Sequence, residues 1–268
     1  MAENGAAIRA PSALAGWTVI LTRPAHSAQE SVTALEAAGA RVMSMPVLSI
    51  EPIDATLDRA VAQAAHAAVF VSANAVAHGL ARLRALGLSV DTPCFAVGEA
   101  TASALRAAGQ VHVAAPQHGF DSEHLLALPA LNSVAGQTIM LVKGQGRSEG
   151  RALIEATLAA RGARVVVFAC YRRRALDVDE ATRKAVLAAL DGKARAAVVV
   201  ASVESLEALA AAFADARAAL ARAVLAVPHL RVANAAHQAG FTRTRIVPLS
   251  AAGLVQSLAE HAASMTTG

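Results

Sequence analysis

The sequence predicts an α/β protein of two similar lobes, each built on a parallel sheet. Three observations lead there. Short apolar runs bounded by turn residues alternate with longer alanine-rich stretches that carry charge at helical spacing, the pattern of parallel strands joined by crossover helices. The length of 268 residues allows one large domain or two compact ones. The chain also resembles itself. Thr18-Val-Ile-Leu-Thr-Arg23 is similar to Thr138-Ile-Met-Leu-Val-Lys143, and Gly39-Ala-Arg-Val42 recurs as Gly162-Ala-Arg-Val165. Further on, Val69-Phe-Val-Ser72 pairs with Val199-Val-Ala-Ser202, and Phe95-Ala-Val-Gly98 with Leu225-Ala-Val-Pro228. Ordered similarity at long period marks a duplication.

Taken in order, residues 17–21 form a strand, Pro24 opens a helix at its first turn, Gly39 closes it, and residues 41–50 make the next strand. Later strands are expected at 67–71, 94–97, 138–142, 165–170, 196–200, 224–227 and 245–247. Glu51-Pro52 and Arg172-Arg173-Arg174 each follow a long strand and read as linkers between lobes. Ligands of such sheets bind where the strands end, so a cleft between lobes is the expected site.

Composition excludes several function classes. Hydrophobic residues at 55% against 16% charged rule out a disordered chain. The uncharged run 125–142 holds Pro129, Asn132, Gly136 and Gln137, so no membrane span is expected. A formal charge of +4 suits an anionic ligand, whereas 3% aromatics and the lack of a basic run argue against nucleic acid. Cys94 and Cys170 lie far from any metal-ligand spacing and sit in apolar runs, so reduced, buried thiols and no metal are expected. The start of the chain lacks the charged head and apolar stretch of a secretory signal, which predicts a cytoplasmic protein with a loose N-terminal extension. Gly144-Gln-Gly-Arg-Ser-Glu-Gly150 is spaced differently from a dinucleotide loop, so no nucleotide cofactor is expected.

Several residues carry candidate chemistry. Tyr171, the one tyrosine, can donate a proton or hydrogen bond while uncharged, or pack as a strand-end aromatic. Gly98-Glu-Ala-Thr101 joins a strand end to a helix start, so its backbone N–H groups and the Thr101 hydroxyl can face a carboxylate; the alternative is an ordinary first-turn threonine. Ser72 and Ser202 occupy equivalent strand ends, as carboxylate ligands or as helix caps. Arg23 and Lys143 are matched after the first strand of each repeat and Arg147 follows a glycine-rich turn; each is a cation for the site or a solvated surface charge. His229 and Arg231 stand at a later helix start. Arg231 can bind a carboxylate, and His229 is given no catalytic role.

Leu21-Thr-Arg-Pro24, Val69-Phe-Val-Ser-Ala-Asn-Ala-Val76, Ala96-Val-Gly-Glu-Ala-Thr101, Leu141-Val-Lys-Gly144 with Gly146-Arg147, and residues 167–172 around Tyr171 occur in an order and spacing that resemble the uroporphyrinogen-III synthase family. The resemblance implies flavodoxin-like α/β lobes joined by a two-stranded β linker: residues 1–50 and 173–268 form one, and 51–172 the other. It implies a cofactor-free lyase of tetrapyrrole biosynthesis that closes hydroxymethylbilane to uroporphyrinogen III. Water is lost, and the terminal pyrrole is inverted through a spiro intermediate. Tyr171 aligns with the family's active-site tyrosine and Thr101 with its cleft threonine. A second Gly-x-Thr turn found in many members is replaced here by Val227-Pro-His-Leu-Arg-Val-Ala233. The expected partner is the linear tetrapyrrole alone, with a monomer and transfer from hydroxymethylbilane synthase as compatible arrangements. A catalytically inactive anion or tetrapyrrole sensor is the alternative function.

Overall fold

The computed structural model describes residues 13–119, 121–146, 149–191 and 195–265. The chain divides into two compact units, one holding residues up to Ser49 and from Ala175 onward, the other Ile50–Arg174. The strands are β1 (Trp17–Leu21), β2 (Arg41–Ser44), β3 (Leu48–Pro52), β4 (Ala67–Phe70), β5 (Cys94–Ala96), β6 (Val113–Ala114), β7 (Thr138–Gly144), β8 (Arg164–Ala175), β9 (Arg195–Val199), β10 (Val224–Val227) and β11 (Thr244–Ile246). The first unit's sheet runs β11-β10-β9-β1-β2, and the second's runs β3-β8-β7-β4-β5-β6.

In the first unit β2-β1-β9-β10-β11 is the doubly wound order 2-1-3-4-5; in the second, β8-β7-β4-β5-β6 reads 5-4-1-2-3 in chain order, a circular permutation of the same arrangement, with β3 added beside β8. Every neighbouring pair within these two five-strand sets is parallel. The self-similar segments therefore occupy equivalent places: β1 matches β7, the turn before β2 that before β8, β4 matches β9, and β5 matches β10. Each unit combines the first two strands of one repeat with the last three of the other.

Parallel sheets covered on both faces need apolar side chains in both directions, which is why these strands read as continuous hydrophobic runs. In the first unit, Ile20, Val198 and Leu225 pack with Leu206, Leu209, Phe213 and Val232 on one face. On the other, Trp17, Val19 and Leu21 meet Leu35, Leu254 and Leu258. In the second unit, Phe70, Met140, Val142 and Phe168 pack with Leu80, Leu83 and Leu105, while Val69, Ile139 and Leu141 meet Leu125, Ile154 and Leu158.

The structure corrects one strand expectation. Residues 41–50 are two strands in different sheets. Met45 N–H still donates to Leu21 (2.9 Å) and Val47 N–H to Thr22 (3.2 Å), but Pro46 between them has no N–H to continue the ladder, and the chain leaves for β3. The segments read as linkers between lobes are themselves parts of strands. Glu51 and Pro52 belong to β3, and Arg172–Arg174 to β8, where the Arg172 Nε donates to Glu51 at 2.9 Å. Among the described residues, no helix is long and apolar enough to cross a membrane, and no group of three His, Cys, Asp or Glu side chains could hold a metal.

Candidate active site

In the second unit the adjacent strands β8, β7, β4 and β5 bring Tyr171, Lys143 with Gly144, Ser72, and Gly98 with Thr101 to the same edge of the sheet, where the parallel strands end. Tyr171 and Ser72 flank β7, two strand spacings of about 4.8 Å apart. They nevertheless touch: the Tyr171 hydroxyl is 3.0 Å from the Ser72 Oγ. The phenol spans β7 at Gly144, where the β7/β8 register shifts so that Gly144 faces Tyr171.

Ser72 is held by its own local structure. It caps the short helix Ala73–Ala75, its Oγ accepting from Ala75 N–H at 3.1 Å. The helix then widens into a π-helical turn, Val76–Leu80, before Ala81–Ala85. Such wide turns recur at functional sites. Here Gly79 lies against the sheet, where a Cβ would come within 2.7 Å of Val142 and 3.0 Å of the Cys170 sulfur. His78, from the same turn, brings its ring 5.9 Å from that of Tyr171.

Arg173 completes the cluster. Residues two apart on a strand share a face, so Arg173 follows Tyr171 while Arg172 and Arg174 face Glu51. An Arg173 Nη2 donates to the Tyr171 hydroxyl at 3.2 Å, and the guanidinium sits 5.4 Å from the ring centre, a cation–π position. Tyr171 is completely buried, at 0% exposure. Sequence reasoning placed Arg173 in a polar linker and did not single out His78. Strand alternation after Tyr171 was the available signal for Arg173; nothing in the sequence pattern marks the π turn that delivers His78.

Thr101, also buried, stands one strand further along, in the first turn of helix Glu99–Ala107, which packs against Ala73–Ala75. Gly98 before it has φ −162°, an extended backbone open to any residue, and no side chain caps the helix. The first-turn N–H groups therefore retain capacity for an anionic ligand. Lys143 is half-buried at the end of β7. Arg147 lies outside the described residues.

The remaining candidates belong to the first unit, at the matching sheet edge. Ser202 caps helix Val203–Ala212, accepting from Ser205 N–H at 3.1 Å, with its Oγ 2.7 Å from that of Ser205. Arg23 donates through Nη2 to Ser31 (2.7 Å) and through Nη1 to the Leu249 carbonyl (3.4 Å), which ties it into its own unit. Burial pulls its pKa below the usual arginine value against the pull of Glu30, and the side chain stays cationic. Arg231 is exposed in the first turn of helix Leu230–Gln238, and His229 precedes it. Burial first, then the Arg231 charge, lowers the His229 pKa, so this imidazole is neutral at pH 7. Ser72, Gly98, Ser202 and His229 share nearly one backbone geometry, φ −168°, −162°, −157° and −164°, as the two repeats require.

Comparison with known proteins bears on the whole arrangement. Residues 29–249 match the family described as uroporphyrinogen-III synthase HemD. The uroporphyrinogen-III synthase of Salmonella typhimurium is 33% identical over 170 residues, covering 61% of this chain and 68% of the relative. That of Synechococcus elongatus is 36% identical over 169 residues, covering 60% and 62%. Among solved structures, the Helicobacter pylori uroporphyrinogen-III synthetase superimposes with TM-score 0.61 at 15% identity, over 91% of this chain and 98% of that one. A mutant Thermus thermophilus uroporphyrinogen III synthase gives 0.58 at 21% identity, over 92% and 99%. The structural likenesses speak to the α/β fold, and the sequence matches to descent: the chain belongs to the uroporphyrinogen-III synthase family.

Proposed function

We propose that this protein cyclises hydroxymethylbilane to uroporphyrinogen III, releasing water and inverting the terminal pyrrole. Membership of the synthase family supports the reaction. One geometric observation carries its residue-level reading: the Tyr171 hydroxyl stands between the Ser72 hydroxyl and the Arg173 guanidinium at the edge where the strands end.

The chemistry asks little of the protein's own reactive groups. A pyrrole nitrogen pushes electrons toward the hydroxymethyl carbon; the C–O bond breaks, and its electron pair leaves on oxygen, which takes up a proton and departs as water. Tyr171 donates that proton or the hydrogen bond that precedes it. Arg173 and Ser72 can both donate into the phenol oxygen, which leaves the phenol proton free to point at the leaving group. The positive charge of Arg173 also lies where negative charge develops as the proton moves.

The remaining task is to hold a flexible polycarboxylate in the bent shape that favours spiro attack over simple closure. Thr101 and the N–H groups after Gly98, the hydroxyls of Ser72 and Ser202, and the cations Arg23, Lys143, Arg147 and Arg231 are the proposed carboxylate ligands. The protein works as a cytoplasmic monomer and takes its substrate from hydroxymethylbilane synthase. Isomer analysis of the product from fresh hydroxymethylbilane tests the reaction. Type III is expected, and type I alone, as formed by spontaneous closure, would reject it.

A further inference from the structure

We infer that His78 is the catalytic base of the Tyr171 site, taking the proton of the pyrrole nitrogen while the phenol serves the leaving oxygen. The inference deepens the reaction proposed above and rests on it.

A π turn interrupts regular helix and is rare, so what it presents is informative. Of the five residues in Val76–Leu80, Val76, Gly79 and Leu80 are buried and Ala77 has no functional group. His78 is the one polar side chain of the turn. Ser72 caps the helix that leads into it, and Gly79 lies so close to Val142 and Cys170 that a Cβ would not fit, which fixes the backbone on either side of His78. The imidazole is half-buried, 5.9 Å from the Tyr171 ring and tilted 37° to it. Among the described residues neither of its nitrogens has a hydrogen-bond partner, and neither is shut off from solvent.

The reacting end of the substrate offers that imidazole a partner. In a hydroxymethylpyrrole only a ring carbon and the methylene separate the N–H from the hydroxyl oxygen, so the groups that serve them must stand side by side, as His78 and Tyr171 do. As the nitrogen pushes electrons outward and the C–O bond breaks, that nitrogen becomes positive and its N–H acidic. A neutral imidazole carries a free lone pair, which accepts this proton. Tyr171 gives its own proton to the departing oxygen. The result is water, a neutral azafulvene, an imidazolium and a phenolate.

Both protein groups are restored later in the same turnover. When the terminal pyrrole attacks the azafulvene to form the spiro centre, electrons return to the first nitrogen, which takes its proton back from His78. The final closure forms a bond at a carbon that bears hydrogen, and the proton lost there returns to the Tyr171 phenolate.

Two substitutions separate this role from packing. His78→Phe keeps an aromatic ring beside Tyr171 without an acceptor; it is expected to lower kcat for type III formation about 100-fold or more with KM little changed, on the usual scale of general base catalysis. His78→Ala is expected to lose as much and to recover saturably when imidazole is added, whereas the wild-type protein and His78→Phe ignore it. Rates are referred to folded protein, measured by circular dichroism. Near-wild-type turnover in His78→Phe, or a His78→Ala rate that imidazole does not restore, would overturn the role of His78 and leave the reaction standing. A wild-type protein that closes hydroxymethylbilane only to type I would reject the reaction itself.

Discussion

Gly144 leaves no room for a side chain beneath Tyr171: a Cβ there would stand 2.7 Å from both Cε2 and Cζ of the ring and 3.1 Å from its oxygen. The phenol can cross β7 to Ser72 only because this position is glycine. Gly144→Ala is therefore expected to push the ring off Ser72, destabilise the fold by about 1–3 kcal/mol as overpacking does, and lower type III formation. Denaturant titration and product isomer analysis check the two effects. A variant with unchanged stability and isomer ratio would show that the ring does not need this path.

Removal of the hydroxyl alone is the complementary change. Tyr171→Phe keeps the ring over Gly144 and deletes the group bonded to Ser72 and Arg173. If the phenol is the proton donor, turnover to type III should fall about 100-fold or more, the usual scale of general acid catalysis. Unchanged turnover would leave Tyr171 a packing residue.

Ser72 and Ser202 are the same cap in the two repeats, so alanine at either should cost about 1 kcal/mol of stability. Their effects on turnover should differ. Ser72 touches Tyr171, whereas the partner of Ser202 is Ser205. Ser72→Ala is expected to lower the rate more than Ser202→Ala, measured on proteins matched for folded fraction. Equal losses would place both serines in substrate binding alone.

The two thiols report on the core. Burial, the larger cause in each case, pushes Cys94 up to about 12 and Cys170 up to about 11, from 9.0 for an exposed thiol. In the native state at pH 8 both should resist alkylation by iodoacetamide and react once the chain is unfolded. The folded state holds the thiol protons more tightly than the unfolded one. Stability from this source is complete below pH 9 and is lost as pH rises toward 11–12, so the denaturation midpoint should fall across that window. Rapid native alkylation at pH 8 would contradict the burial.

Strands buried on both faces were the most legible part of the chain. The runs beginning at Trp17 and Val224 are continuous apolar segments, and both were read to their ends. The break at Pro46 was missed because β2 and β3 are both partly exposed and read together as one strand. Two-residue β6 offers too little pattern to find. At the site, residue type pointed to Tyr171 and Ser72. Their contact depends on the β7/β8 register shift at Gly144, a pairing between distant segments that no local pattern encodes. The position of His78 depends on a π turn, which shares its residue preferences with ordinary helix.

The exchange of strands between the repeats bears on ancestry. A polypeptide carrying a single repeat would own the first two strands of one sheet and the last three of another, and could close neither by itself. Two copies trading those portions would complete both, so the present gene reads as the fusion of an interlocked homodimer. Cleaving the backbone between β6 and β7 should accordingly yield two fragments that fold only in each other's company.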